Sequence, residues 1–382
     1  MSEDFKEKLK KYAEGTLSEE EQIEIEKELE KMELYHSFMD EQLGEDKYDS
    51  DSIDMQKKVV RKGKWRARFH NAFTVIGILF LLGFISTLAT NVYYSLGEPS
   101  RSEVFRDVIQ STIAVTEPNL QIRGSSTSIN WLNMDYTGNL EKKIGGSYEK
   151  FGDFEMDFLF GLPSIPDVEL EKEETPNFFY PPYAEQFNDD AEWAILENIP
   201  EGTVAEAFVS LNKLYPTAEA LKLFENKNVD AVWFAVDTGV EGEQEHGFGP
   251  TDPIGFPEYP IWHPQDLKIT SRTKDKAGLF ESVETRSGSY PTIEEFGSAE
   301  IRDENFLVTL ELIAQYESIS NMVYRFSPLN LESRIKYIQE NGVHVYGIVV
   351  TGPSKELLHL QQEEWVETIT IGEVRLWNWY DK

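Results

Sequence analysis

The first fifty residues set their apolar side chains at helical spacing. In FKEKLKKYAEG, Phe5, Leu9 and Tyr12 share one face, and Gly15 stands where a helix-terminating glycine would. Ser18 and Glu21 read as a capping box that opens a second helix, predicted to continue to about Leu43 before Gly44. Within it Ile25, Leu29, Met32, His36, Met39 and Leu43 follow one another at alternating four and three, a narrow coiled-coil-like seam with acids around it. Two such helices bury too little to fold stably alone, so the seam is expected to lie against a partner. That rhythm stops at residues 72–92, where 21 residues pass without a charged side chain. At about 1.5 Å per residue the run reaches roughly 31 Å, the thickness of a bilayer's hydrocarbon core, which predicts a membrane-spanning helix. A cleaved signal peptide is not expected, because the apolar run lies far into the chain and no A-x-A-like site follows it.

Beyond the span, Val104, Phe105, Val108, Ile109, Thr112 and Ile113 trace an amphipathic juxtamembrane helix ended by Pro118. Turn residues break 120–160 into short candidate strands, of which 129–132 and 151–160 are the most apolar. Residues 161–190, with Pro163, Pro166, Pro176, Pro181 and Pro182 among acids, read as an extended linker. A strand at 203–211, a helix at 217–225 and a strand at 229–237 then form one βαβ unit. A second unit has a strand at 343–351, a helix opened by Pro353 and a strand at 366–377. Helices near 303–316 and 330–341 pack beside them, and 239–300 is a long surface insertion. The expected fold class is α+β: a helical cytoplasmic arm, one transmembrane helix and an extracytoplasmic α/β sandwich with βαβ repeats, ferredoxin-like in arrangement. Its divisions are an arm at 1–54, a basic linker at 55–71, the span at 72–94, a juxtamembrane region and linker at 95–195, and a carboxy-terminal domain at 196–382.

Charge orients this layout. The chain carries a net −33, yet Lys57, Lys58, Arg61, Lys62, Lys64, Arg66 and Arg68 crowd the near side of the span, while no cation follows it until Arg101. Positive charge stays in the cytoplasm, so the amino terminus is predicted inside and the carboxy-terminal part outside. Trp65 and Phe69 on one side, and Tyr93 and Tyr94 on the other, stand where aromatic belts would meet the two interfaces. Residues 1–54 hold 7 Lys and Arg against 19 Asp and Glu, and the outer part is similarly acidic, which argues against nucleic acid or anionic lipid as its partner. The basic stretch is read as topology determinant and anionic-lipid contact.

No enzyme chemistry emerges. There is no cysteine, hence no disulfide and no thiol ligand or nucleophile. Six histidines are scattered without metal-ligand spacing; His246 and His263 share an acidic loop, where solvated histidines are expected and a loop metal site is the alternative. Phosphate loops, nucleophile elbows and dinucleotide fingerprints are lacking, and Trp377 and Trp379 read as packing on a terminal strand. Neither catalysis nor a cofactor is expected.

The phrase YAEGTLSEEEQIEIEKELEKMELY resembles the anti-sigma domain of bacterial membrane-anchored regulators that grip an extracytoplasmic-function sigma factor. EGTVAEAFVSLNKLYPT, VDAVWFAVDTG, NGVHVYGIVVTGPSKEL and IGEVRLWNW are similar to the carboxy-terminal sigma-regulator domain of anti-sigma factors of the anti-sigma-M type. That resemblance implies sequestration of a sigma factor at the membrane and release on an envelope signal, with an additional membrane partner a further expectation. It also implies that Phe5, Leu9, Tyr12, Leu17, Ile25, Leu29, Met32, His36 and Met39 form the sigma-binding surface. Many relatives hold zinc through His-x3-Cys-x2-Cys; here those positions are Glu28, Met32 and Tyr35, so a zinc-free arm is implied. The alternatives are a membrane-anchored extracytoplasmic enzyme or ligand-binding protein, and a bitopic envelope protein that self-associates, the latter resting on the Gly83 to Thr87 spacing.

Overall fold

Two helices open the chain in the computed structural model, which describes residues 3–13, 15–42, 50–171, 179–183, 189–241, 253–276, 282–325 and 328–377. Helix α1 (Glu3–Ala13) stops because Gly15, at φ 68°, turns the chain left-handed and donates its amide to the Tyr12 carbonyl. The backbone N–H and hydroxyl of Ser18 then donate to the Glu21 carboxylate at 3.2 and 2.7 Å as α2 (Glu19–Gln42) begins, and these bonds hold the Glu21 pKa below its usual value. Leu43 and Gly44, the expected end of this helix, lie outside the described residues. Helix α3 (Ser50–Ser95) contains the uncharged run and is, among the described residues, the one helix long and apolar enough to cross a membrane. The chain divides into two compact units at Leu81, so α3 passes from one into the other.

The second unit, Leu82–Lys382, is built around α4 (Arg101–Thr116) and two sheets. Ser100 caps α4 through a reciprocal bond pair with Glu103, and Phe105, Val108, Ile109, Ile113 and Val115 sink into the core. In place of the short strands expected between 120 and 160, a meander of three long antiparallel strands follows: β1 (Leu120–Asn130), β2 (Asn133–Ile144) and β3 (Ser147–Leu159). Alternation makes this possible, for every second residue of β2 from Met134 through Tyr136, Gly138, Leu140 and Lys142 to Ile144 is buried, while the residues alternating with them are not. The prolines of the expected linker do not prevent packing either. β4 (Leu162–Pro163) and β5 (Asp167–Leu170) pair with β3, and Phe179 is buried against Phe208, Trp233 and Tyr346.

After α5 (Asp190–Asn198) comes the second sheet, whose first three strands are β6 (Thr203–Pro216), β7 (Asp230–Val236) following α6 (Thr217–Lys222), and β8 (Gly255–Pro257). The hairpin of β9 (Lys268–Lys276) and β10 (Ser282–Ser289) stands apart from it. Three helices, α7 (Ala299–Gln315), α8 (Glu317–Tyr324) and α9 (Leu331–Asn341), lead to β11 (His344–Pro353), α10 (Ser354–His359) and β12 (Val366–Leu376). Strand order is β12-β6-β11-β7-β8, with every neighbouring pair antiparallel. Both faces of β6 and β11 are covered, which is why their apolar residues run nearly unbroken. The stretch read as a surface insertion contributes to the interior: Ile254 and Phe256 are core residues, and β8 extends the sheet.

Between the two sheets lies a buried polar seam. Glu206 of β6 accepts from Asn119 at 2.7 Å and from Lys142 of β2 at 3.4 Å, and the Gly145 amide donates to the Thr351 hydroxyl at 2.6 Å. At the β2–β3 turn Gly145 adopts φ +63°, and a Cβ there would meet Val204 at 2.9 Å, so glycine is what lets the first sheet close on the second.

Candidate partner-binding site

In the arm, α1 crosses α2 at Ile25. Lys8 reaches Glu24 at 3.5 Å, Tyr12 donates to Glu26 at 3.0 Å, and Ile25 between those two acids is buried. The hydrogen bond to the Glu26 carboxylate, and then its charge, raise the Tyr12 pKa. Such exposed polar contacts contribute little, so burial around Ile25 is the main attachment of α1.

The residues expected to grip a partner are therefore divided. Leu9, Tyr12, Leu17, Leu29 and Met32 are half-buried, Ile25 is enclosed within the arm, and His36 and Met39 are exposed; the Phe5 side chain lies outside what is described. Sequence spacing overlooked a second apolar stripe. At 100° per residue, Leu29 and Met32 fall within about 40° of Ile25, whereas Ile23, Leu34 and Phe38 lie about 160–220° away, on the opposite face. All three of these are exposed, as is Tyr35 at the flank of Met39. The signal was the pair Leu34 and Phe38 at i and i+4, masked because a single seam already accounted for the helix. Helix α2 is thus two-faced: one side carries α1, and the other presents Leu34 and Phe38 among acids.

The histidine expected to be solvated is not. His263 is fully buried, its Nδ1 at 3.0 Å from both carboxylate oxygens of Asp107 on α4 and its Nε2 at 2.9 Å from the Thr309 hydroxyl on α7. Both ring nitrogens are engaged by side chains of two other elements, so His263 works as a three-way tie; His246 lies outside the described residues. Nearby, a cavity of about 240 Å³ is bounded by Gln110, Lys143, Tyr148, Trp233, Glu258 and Tyr259. Its charges are satisfied internally, with Lys143 at 3.0 Å from Asp230 and 3.2 Å from Glu258.

A family model described as sigma factor regulator N-terminal matches residues 57–148, and one described as sigma factor regulator C-terminal matches residues 196–373. The first match begins after the arm and runs through the apolar helix and all of β2 to the first residues of β3. A protein of Bacillus subtilis (strain 168) named probable anti-sigma-M factor YhdL is 29% identical over 393 residues, an overlap of 99% of this chain and 100% of that protein. No solved structure matches the chain.

Proposed function

Because the chain belongs to the sigma-factor-regulator family of anti-sigma factors, which are regulators and not enzymes, we propose that its arm holds an extracytoplasmic-function sigma factor at the inner face of the membrane. The observation that carries this reading is the free face of α2. Leu34 and Phe38 are large, apolar and exposed on a helix rich in Glu, which suits an apolar groove with a basic rim. Ile25 serves the arm's own packing, and Leu29, Met32 and Met39 lie on the same side of the helix as Ile25, away from this contact.

The span is residues 72–94 of α3, with the amino terminus in the cytoplasm and residues 95 onward outside; the seven cations at residues 57–68 support that orientation. The outer part is a sensor that governs release of the sigma factor when the envelope changes state, with an additional membrane partner as relay. For its second sheet the reading is a ferredoxin-like sandwich of two split βαβ units. What supports it is the order β12-β6-β11-β7: β6 and β7 flank β11 and are joined through α6, while β11 and β12 flank β6 and are joined through α10.

The test is capture of the sigma factor by the full chain in nanodiscs. Binding that saturates at one sigma factor per chain and is lost with residues 1–54 removed is expected. Equal capture without the arm would refute it.

A further inference from the structure

Two turns of the first sheet lie against the carboxy-terminal end of α3, and their side chains are ill suited to water. The β1–β2 turn is made by Trp131 at φ +46° and Leu132 at φ +72°, and the β3–β4 turn by Phe160 at φ +49° and Gly161 at φ +78°. Tight turns with two left-handed residues favour Asn-Gly or Asp-Gly. Bulky apolar residues in that region are strained, so Trp131, Leu132 and Phe160 carry a conformational cost that a turn in water would have no reason to bear.

The backbone of both turns is satisfied by hydroxyls of α3. Leu132 N–H donates to Thr90 Oγ1 at 2.8 Å, Tyr93 Oη donates to the Phe160 carbonyl at 3.1 Å, and Tyr94 Oη donates to the Phe158 carbonyl at 2.7 Å. Gly161 N–H in turn donates to Tyr94 Oη at 3.0 Å, and Phe160 N–H donates to the Leu132 carbonyl at 3.1 Å. Irregular backbone survives at membrane depth only when its polar groups are met within the protein, as those of Leu132 and Phe160 and the Gly161 N–H are here. The side chains face outward instead: Trp131 is 68% exposed, and Leu162 and Ile165 are each 71% exposed.

Depth follows from the helix. A Cβ on Gly83 would lie 3.0 Å from the Trp131 ring, so the indole rests on α3 at Gly83. Gly83 precedes Tyr94 by eleven residues, about 16 Å along the axis at 1.5 Å per residue. If residues 72–92 fill the hydrocarbon, Trp131 lies within it; if the bilayer ends at Gly83, Trp131 lies at its boundary. The first placement, which a span at 72–94 requires, puts Trp131 in lipid and the Phe160–Gly161 turn, hydrogen-bonded to Tyr93 and Tyr94, at its boundary. On α3 itself Phe84, Leu88 and Val92 are exposed and apolar, so the turns continue a surface that already faces acyl chains.

Resting on the reading of α3 as a span, we propose that the Trp131–Leu132 and Phe160–Gly161 turns, with Leu162 and Ile165, form a collar inserted in the bilayer leaflet that adjoins the carboxy-terminal domain. Its partner is the lipid itself, bound through apolar side chains rather than headgroup charge, and the first sheet is seated in the membrane rather than held above it.

The chain has no cysteine, which permits single-site labelling. Full-length Leu162→Cys, Ile165→Cys, Gly146→Cys and Phe80→Cys variants would each carry an environment-sensitive fluorophore in liposomes. Gly146 sits at the opposite, β2–β3 end of the sheet and reports water, while Phe80 lies in the span. Nitroxide-bearing lipids should quench the probes at 162 and 165 several-fold more than the probe at 146, with aqueous iodide showing the reverse. Iodide quenching at 162 and 165 equal to that at 146 would overturn the collar, and quenching by neither agent would also overturn it, by revealing a second copy of the chain over these turns. A probe at 80 that nitroxide lipids leave bright would instead refute the span, a separate failure.

Discussion

Replacing Leu34 and Phe38 together by Ala removes the two largest apolar groups on the free face of α2. Burying a Leu or Phe side chain completely is worth about 1.5–3 kcal/mol. Leu34 is 64% exposed and Phe38 56%, so somewhat more than half of that remains available to a partner. Each truncation then costs roughly 1–2 kcal/mol, and the pair about 3 kcal/mol, which is on the order of a hundredfold in Kd. Because the two residues are one turn apart, the double variant should fall short of strict additivity. Interferometry with the full chain in nanodiscs and the purified sigma factor measures the loss, and it should appear chiefly in the dissociation rate. Far-UV helicity should be unchanged, since neither residue packs within the arm. In cells, sigma-dependent transcription should rise while the protein stays in the membrane at normal abundance. The reasoning fails if the Leu34→Ala, Phe38→Ala chain binds within threefold of the parent while Leu29→Ala, Met32→Ala loses a hundredfold. The partner would then use the seam face and displace α1.

Protease added outside intact cells should release fragments containing Trp193 and spare the segment before Trp65; protection of the carboxy-terminal part would reverse the orientation. Chelation should leave sigma binding intact, because Glu28, Met32 and Tyr35 stand at the positions where relatives carry zinc ligands, and a loss restored by zinc would place ligands elsewhere. Burial raises the Asp303 pKa to about 6, opposed by a hydrogen bond from Thr217. A carboxyl that binds its proton more tightly when folded favours folding at low pH. Stability from this source should therefore fall as pH rises from about 4 through 6, by about 1 kcal/mol after solvent screening. Thermal scans of Asp303→Asn should lose that slope, and an unchanged slope would assign it to another group.

Much of the second sheet was legible because its strands are apolar runs bounded by Pro or Gly. Strand β6 ends at Pro216, and β11 gives way to α10 at Pro353. Helix α5 escaped notice because it is nine residues long and buries only Trp193 and Leu196, too little for a periodic signal. The hairpin of β9 and β10 is almost wholly polar, so backbone pairing holds it with no alternation to read. His263 was misread for a different reason: its partners Asp107 and Thr309 lie 156 and 46 residues away, and local composition carries no trace of them. In the arm the period of α2 was correct, but spacing alone does not say which of two apolar faces the chain consumes internally.

The five residues between α3 and α4 have a mechanical meaning. Arg101 donates to the Leu96 and Tyr93 carbonyls and its guanidinium stacks 4.3 Å above the Tyr93 ring, so the corner between the helices is braced across its inside. Helix α4 is then riveted at three heights: Asp107 to His263, Gln110 to Tyr136 at 3.0 Å, and the Ala114 carbonyl to the Trp233 indole at 2.8 Å. A joint so stiffened has no slack to absorb a load. Torque applied to the sheets would pass through these bonds to the last turns of α3 as rotation or tilt, in the manner of a wrench on a shaft.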